Sequence, residues 1–197
     1  REWQLAYLPT DTPEGKAYIA WMNMALGFAK ENRALMMQRL KEIVFENLFR
    51  YAAVDDVRII LEIDAHHNYA VLENHFGRDV WVHRKGAIRA GKDEYGIIPG
   101  AMGSFSYIVK GKGNPESFCS CSHGAGRVMS RNEALKQFSV QDVIEDLKSQ
   151  NVVLGKRKRS DVAEESRWAY KDINEVLKYQ LDLVEPVLRL RTVAVVK

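Results

Sequence analysis

The chain contains 197 residues, of which 46% are hydrophobic, and it carries a formal net charge of +3. This length and apolar content suffice for one domain with a sizeable core. No apolar run approaches the roughly 20 residues that a membrane span needs, and two cysteines are too few for a disulfide framework. The first residues, REWQLAYLPTD, lack a signal-peptide layout and begin as if inside a longer protein. We therefore expect a reducing, cytoplasmic location and no membrane partner.

The N-terminal quarter is predicted to be helical. Apolar side chains recur at three- and four-residue steps over residues 13–50, which is typical of one or two amphipathic helices. Thr12 followed by Pro13 suits a helix start, since a hydroxyl can cap the first turn and proline is tolerated there.

The rest of the chain alternates between strand and helix patterns. Short apolar runs broken by glycine and proline (VRIILEI, YAVLE, DVWVH and SYIVKG) indicate strands between residues 57 and 110. Helical spacing returns over 131–148 and again over 173–190, an exposed loop is expected over 155–166, and TVAVVK closes as a strand. The predicted fold is mixed α/β (α+β), with a long N-terminal helix, a strand-rich core and C-terminal helices.

The segment FCSCSHGAGRVMSR, residues 118–131, admits two interpretations. On a strand, Cys119, Cys121 and His123 would share one face and could hold a metal, but a structural zinc site needs four ligands and the chain has no second pair. Alternatively, His123 ends a strand and acts as a nucleophile, while Gly124 to Gly126 make a turn. Arg127 and Arg131 would then share a helix face and could grip phosphates.

Two further segments combine polar residues with strand ends. Asp64, His66 and His67 follow VRIILEI, where imidazoles could bind Mn, Fe or Zn, or could simply be surface and core residues. His83 and Lys85 would share one strand face, with Arg84 on the other, as a phosphate site or a solvated basic edge.

A glycine-containing loop, PGAMGSFS, covers residues 99–106. Its glycines permit backbone N–H groups to converge on an anion and leave room for a phosphate. It matches neither the P-loop nor the dinucleotide-binding pattern. An ordinary turn between strands is the alternative.

Taken in order, the segments HHNYAVLE, VHRKGA, GIIPGAMGSFSYIV, SCSHGAGRVMSR, WAYKDINEV and LVEPVLRLRTVAVVK resemble the C-terminal half of the RtcB family of RNA-splicing ligases. The resemblance extends over nearly the whole chain from Leu5. It implies that residues 1–197 are the C-terminal part of a single RtcB-like ligase domain whose N-terminal metal-binding half is absent. It also implies a GTP- and Mn²⁺-dependent enzyme that joins RNA 2′,3′-cyclic phosphate or 3′-phosphate ends to 5′-hydroxyl ends.

The same resemblance implies roles for individual residues. His123 would be the catalytic nucleophile that takes up GMP, and His67 a manganese ligand. Lys85, Arg127 and Arg131 would contact RNA phosphates. The implied GTP contacts are Asn68, Pro99, Gly100, Ala101, Met102, Ser106, His123, Gly124, Ala125, Gly126 and, for the guanine base, Lys197.

Two departures from the family pattern and one absence qualify this expectation. Ala101 stands where the family usually has serine, so backbone N–H groups would have to bind the phosphate unaided, and AEESRW differs from the usual acidic and proline-containing pattern. The other metal ligands of the family are not in this chain, and one histidine cannot hold a two-metal centre. Alternatives are a GTP- or RNA-binding fragment without catalysis, and a metal-dependent phosphoesterase using Asp64, His66 and His67.

Overall fold

The computed structural model describes residues 6–52, 56–155 and 161–196. The chain divides into two compact units, residues 1–64 and 65–197. None of the helices in the described ranges combines the length and apolar character that a bilayer crossing requires.

The first unit is built on one long helix, α1 (Pro13–Tyr51). Thr12 caps it, because its hydroxyl accepts the Gly15 N–H at 3.1 Å. The predicted strand 57–63 is wrong: in the part of the chain that the structure describes, this segment pairs with no other strand. It runs alongside α1, where Lys41 pairs with Glu62 and Arg33 with Asp64. A strand requires a neighbouring strand for its backbone groups, which apolar composition alone does not supply.

The second unit contains the strand-rich core and the shorter helices. In chain order its elements are β1 (Asn68–His75), β2 (Arg78–Lys85), β3 (Ala87–Arg89), β4 (Tyr95–Ile98), β5 (Ser106–Gly111), β6 (Ser120–Ser122), α2 (Arg131–Gln137), α3 (Val140–Ser149), β7 (Val153–Gly155), α4 (Ile173–Lys178), β8 (Val184–Leu190) and β9 (Ala194–Val196). The predicted mixed α/β class is confirmed.

The strands of this unit pair in small antiparallel groups, with one parallel pair. β1 and β2 form a hairpin whose two turn residues, Phe76 and Gly77, both have positive φ, as a tight hairpin turn requires. β3 pairs with β6, β4 with β5 and β5 with β8, whereas β7 and β9 run parallel. In the β3–β6 pair, Ile88 lies opposite Cys121 and Ala87 lies opposite Ser122. Ser122 directly precedes His123.

Two apolar clusters stabilise the second unit. The larger one joins β3, β4, β5, β6 and α4 and includes Ile88, Ile98, Val109, Cys121 and Leu177. The smaller one packs α3 against the segment around Val162. The first cluster lies directly beneath the loops that carry the predicted site, because Ile98 and Cys121 immediately precede Pro99 and Ser122.

Two predicted helices differ from the structure. The helix over 131–148 is interrupted at Phe138, whose backbone is extended, and Ser139 caps α3 by accepting the Asp142 N–H. The helix over 173–190 ends at Lys178, and Val184–Leu190 forms β8 instead. Pro186 is incompatible with a helix interior but is tolerated on an edge strand, and a register shift lies beside it at Val109.

Candidate active site

The candidate site is organised around two histidines that a single glycine links. His67 directly precedes β1, and His123 directly follows β6. Gly86, between β2 and β3, donates its N–H to the His67 carbonyl at 3.3 Å and accepts the His123 N–H at 3.4 Å. The two imidazole rings lie 5.4 Å apart, centroid to centroid. Residues separated by more than fifty positions in sequence thus become neighbours.

Two glycine-containing loops face each other beside His123. Ala125 donates its N–H to the Pro99 carbonyl at 3.1 Å, which ties the loop after β6 to the loop after β4. A Cβ at position 100 would lie 2.1 Å from the Phe105 carbonyl oxygen, so only glycine fits there. Gly126 has a φ of +72°, a conformation that other residues rarely adopt.

These elements enclose a cavity of about 510 Å³. It is large enough to admit part of a nucleotide. Its lining brings together seven of the predicted contact or metal residues and Arg127: His67, Pro99, Gly100, His123, Gly124, Ala125, Gly126 and Arg127. Tyr170 completes the wall, and sequence reasoning did not single it out.

The environment of His123 favours its neutral form. Partial burial lowers the pKa of His123, and the neighbouring His67 lowers it further, because two positive imidazoles would repel each other. A neutral imidazole retains a lone pair on one ring nitrogen. The site therefore holds a histidine that can act as a nucleophile near pH 7.

Buried Gln180 anchors the residue before His123. Its side-chain oxygen accepts the Ser122 N–H at 3.0 Å, and its side-chain nitrogen donates to the Ser122 hydroxyl at 2.8 Å. Sequence reasoning missed Gln180, since a lone glutamine after a helix gives no local signal for a contact 58 residues away.

Comparison with known proteins shows to which family the chain belongs. The family model described as tRNA-splicing ligase RtcB matches residues 1–197. The chain belongs to the RtcB family. It is 44% identical over 193 residues to RNA-splicing ligase RtcB of Escherichia coli K12, which covers 98% of this chain and 46% of that relative.

RtcB relatives with lower identity also match nearly the whole chain and only part of their own length. The tRNA-splicing ligase RtcB of Methanopyrus kandleri is 37% identical, covering 98% of this chain and 22% of its own length. The RNA-splicing ligase RtcB of Mycobacterium tuberculosis is 34% identical, with 98% and 48% covered. The chain spans about half the length, or less, of these curated relatives.

The three basic residues that the RtcB resemblance assigns to RNA lie in different settings. Lys85 is exposed and pairs in register with Asn68, at the open end of the β1–β2 hairpin beside His67. Arg131 is also exposed, and its side chain lies 3.7 Å from Glu165. These two side chains are accessible to a phosphate.

Arg127 differs from its predicted placement on a helix face. α2 begins only at Arg131, because Ser130 is its cap, and Arg127 lies in the preceding loop. Its guanidinium donates to the Met129 carbonyl at 3.0 Å, the Tyr170 hydroxyl at 2.8 Å and the Glu164 carbonyl at 2.5 Å. Only two of its five N–H donors therefore remain for a ligand.

The other RtcB-like contact positions lie beside the cavity rather than in its lining. The Ser106 hydroxyl accepts the Gly100 N–H at 3.2 Å, so it stabilises the conformation of this loop. The Ala101 carbonyl accepts the Ser104 N–H, and Met102 packs against the smaller apolar cluster. Lys197 lies outside the described residues, as do residues 156–160 of the predicted exposed loop.

The described residues do not form a metal centre by themselves. No group of three or more histidine, cysteine or acidic side chains is suitably placed within them. Cys121 is buried in the larger cluster, and burial raises the pKa of its thiol to about 12. Cys119 has a φ of +50° and lies outside β6, so the shared strand face of Cys119, Cys121 and His123 is wrong. His67 remains the one implied manganese ligand, and Asp64 is held by Arg33.

Proposed function

We propose that this chain provides the nucleophile-bearing part of an RtcB-type RNA ligase that uses GTP and Mn²⁺. The observation that carries the proposal is the position of His123. Its neutral imidazole borders the cavity at the point where two glycine-containing loops leave room for a bound phosphate. The family model and the three relatives compared above are all named as RNA- or tRNA-splicing ligases.

In the proposed reaction, a ring nitrogen of His123 attacks the α-phosphorus of GTP. A P–N bond forms, the bond between the α- and β-phosphates breaks, and pyrophosphate leaves. The N–H groups of Gly124 and Gly126 would bind the phosphate oxygens, where negative charge develops. The absence of a side-chain hydroxyl at Ala101 makes these backbone donors more important.

The guanylate would then pass to an RNA 3′-phosphate, which restores free His123. Attack of a 5′-hydroxyl on the activated 3′-phosphorus would join the strands, expel GMP and release a proton. Lys85 and Arg131 would bind the RNA phosphates, and their exposed, positively charged side chains support this role.

Mn²⁺ does not fit a site built from the described residues alone, because they contain no group of three or more ligands and divalent ions of this kind require several. We therefore assign no step to residues of this chain acting through the metal. The proposal places the remaining ligands in polypeptide that precedes the matched region, and activity of the isolated chain would depend on that polypeptide.

The proposal is tested with α-³²P-labelled GTP and Mn²⁺, using the chain alone and mixed with the N-terminal half of the Escherichia coli relative. We expect acid-labile label on the chain in the mixture and its loss in His123→Ala. His83→Ala is the matched control, since His83 is an exposed histidine outside the cavity. Label that persists in His123→Ala contradicts the assignment. Binding of GTP and RNA without label favours a catalytically silent binding function.

A further inference from the structure

A second cavity of about 620 Å³ lies in the same unit, and nothing assigned so far accounts for it. Gly103, Ser104 and Phe105 of the predicted phosphate-binding loop form part of its wall, but none of the individually predicted contact residues lines it. It shares one wall residue, Tyr170, with the His123 cavity. The two cavities are therefore neighbours that share a wall at Tyr170.

Two positively charged side chains in the wall of this cavity, Arg191 and Lys171, form no ion pair within the described ranges. The Arg191 guanidinium donates to the Gln150 carbonyl at 2.8 Å, which fixes its direction but leaves its charge uncompensated. Lys171 and Asp172 also line the cavity. The Asp172 carboxylate accepts hydrogen bonds from the Asn174 backbone and side chain, and within the described ranges no carboxylate forms an ion pair with Lys171 or Arg191. Arg167, by contrast, is paired with Asp146 at 2.7 Å. Arg191 and Lys171 are therefore the two cations available to an anionic ligand.

The same cavity offers a partly exposed aromatic surface. The Trp168 ring packs against Phe138 with centroids 5.4 Å apart, which restrains the indole, and 39% of the residue remains exposed. Phe105, the other aromatic residue of the wall besides Tyr170, already has the Arg189 guanidinium over its ring at 4.6 Å. Trp168 is accordingly the surface on which a planar ligand can stack.

We propose that this cavity binds a nucleotide of the single-stranded RNA whose end is joined at His123. Its base stacks on Trp168, and Lys171 and Arg191 bind its phosphate. Stacking beside a cationic groove is the chemistry by which proteins hold single-stranded nucleic acid. The shared wall at Tyr170 allows the strand to continue toward His123. This inference rests on the proposed ligase function for the identity of the strand.

The test measures binding of a fluorescein-labelled single-stranded RNA with a 3′-phosphate to the chain, over a range of salt concentrations, without GTP or Mn²⁺. We expect Trp168→Leu to weaken binding by about 5- to 150-fold, since stacking contributes about 1–3 kcal/mol per base. Lys171→Gln and Arg191→Gln should each make the slope of log K against log salt shallower by about 0.7, which is the effect of losing one phosphate contact to a single strand. Lys178→Gln is the matched control, because Lys178 is an exposed lysine of α4 outside the cavity.

Equal effects of Lys171→Gln and Lys178→Gln, or an unchanged affinity in Trp168→Leu, would overturn the inference. So would displacement of the RNA from the wild-type chain by GTP, because the cavity would then serve the guanine nucleotide. Guanylylation of His123 needs no RNA. Failure of that labelling with intact, Trp168-dependent RNA binding would contradict the proposed function but leave the cavity assignment standing.

Discussion

At the scale of single residues, Gly86 links the two histidines of the candidate site through its backbone. Its backbone contacts both His67 and His123, and its φ of +77° is one that L-amino acids with a side chain rarely adopt. A Cβ there would meet no atom within 4 Å, so substitution acts on conformation rather than on packing. Sequence patterns do not predict this role, because hydrogen bonds to residues 19 and 37 positions away depend on the tertiary fold.

We predict that Gly86→Ala destabilises the chain by about 1 kcal/mol, the usual cost of a left-handed backbone for a residue with a Cβ. It should also sharply reduce guanylylation of His123. Gly77→Ala is the matched control, because Gly77 has a φ of +75°, no neighbour within 4 Å of its Cβ position, and lies in the hairpin turn. Urea unfolding and GTP labelling distinguish the two variants. Equal losses of labelling would contradict a specific role for Gly86.

Buried Arg84 illustrates what the alternation of a strand can predict. The sequence placed Arg84 on the face opposite His83 and Lys85, and the structure confirms this: Arg84 is 1% exposed and the other two are exposed. Its partners were not predictable, since they come from two other segments of the chain. Arg84 pairs with Glu73 at 2.7 Å and donates to the Phe118 carbonyl at 2.8 Å and the Ser120 hydroxyl at 2.9 Å.

This ion pair gives a pH dependence with a defined sign. Hydrogen bonding by Arg84 lowers the pKa of Glu73 to about 2, against an ordinary value of 4.5. Because the folded-state pKa is depressed, the stabilisation is present above pH 4.5 and is lost as the pH falls toward 2. The expected contribution is on the order of 3 kcal/mol.

The measurement is the free energy of unfolding of the wild type and Glu73→Gln between pH 7 and pH 2. The variant leaves the buried Arg84 charge without its partner, so the difference should be largest at pH 7. It should shrink progressively below pH 4.5. A difference that is constant over this range would show that the Glu73 charge does not stabilise the fold.

At the scale of secondary-structure elements, the short strand β6 delivers His123 to the site. Its three residues cannot fix their own position, and Gln180, from the turn after α4, holds the last of them with two hydrogen bonds. Sequence patterns predicted that His123 ends a strand but not what secures that strand. Local periodicity reports burial, whereas this contact joins residues far apart in the chain.

We predict that Gln180→Leu lowers stability by about 1–3 kcal/mol, because the Ser122 N–H would lose its buried partner. The rate of His123 labelling should fall as well. Gln180→Glu should retain more of both, since one carboxylate oxygen can accept the N–H and the other can accept the Ser122 hydroxyl. Stopped-time labelling and denaturant unfolding measure the two quantities.

Ser139→Ala provides the control for stability alone, since Ser139 caps α3 away from the cavity. It should cost about 1 kcal/mol with no change in labelling rate. If Gln180→Leu and Ser139→Ala lost stability equally and labelled at the wild-type rate, Gln180 would have no positioning role.

The element boundaries that sequence reasoning missed have a common physical cause. The segment 57–63 has the composition of a strand but no strand partner, and Val184–Leu190 has helical spacing but pairs with β5. In the first case no strand pairs with the segment, and in the second a distant strand does. Pairing between distant residues therefore determines the structure more strongly than the local pattern. α1, whose hydrogen bonds are local, was predicted nearly to its ends.

At the scale of the whole molecule, α1 exposes a large amount of apolar surface. Only Gly15 of its 39 residues is buried, and Trp21 and Phe28 are 66% and 76% exposed. Surface of this kind is unusual for a monomeric protein.

We predict that the isolated chain self-associates at micromolar concentration. Replacing both Trp21 and Phe28 with glutamine should shift it toward the monomer, because the exposed apolar area of α1 falls. Sedimentation velocity measures the distribution. A wild-type chain that sediments as a single monomeric species would contradict the prediction.

The central claim is that His123 is the residue that accepts GMP, and mapping the adduct tests it most directly. The chain is incubated with GTP, Mn²⁺ and the N-terminal half of the Escherichia coli relative, digested at alkaline pH, where a P–N bond survives, and analysed by tandem mass spectrometry. The account predicts a mass increase of one guanylate on the peptide containing His123, localised to that side chain. A guanylate on a lysine or on another histidine would contradict it.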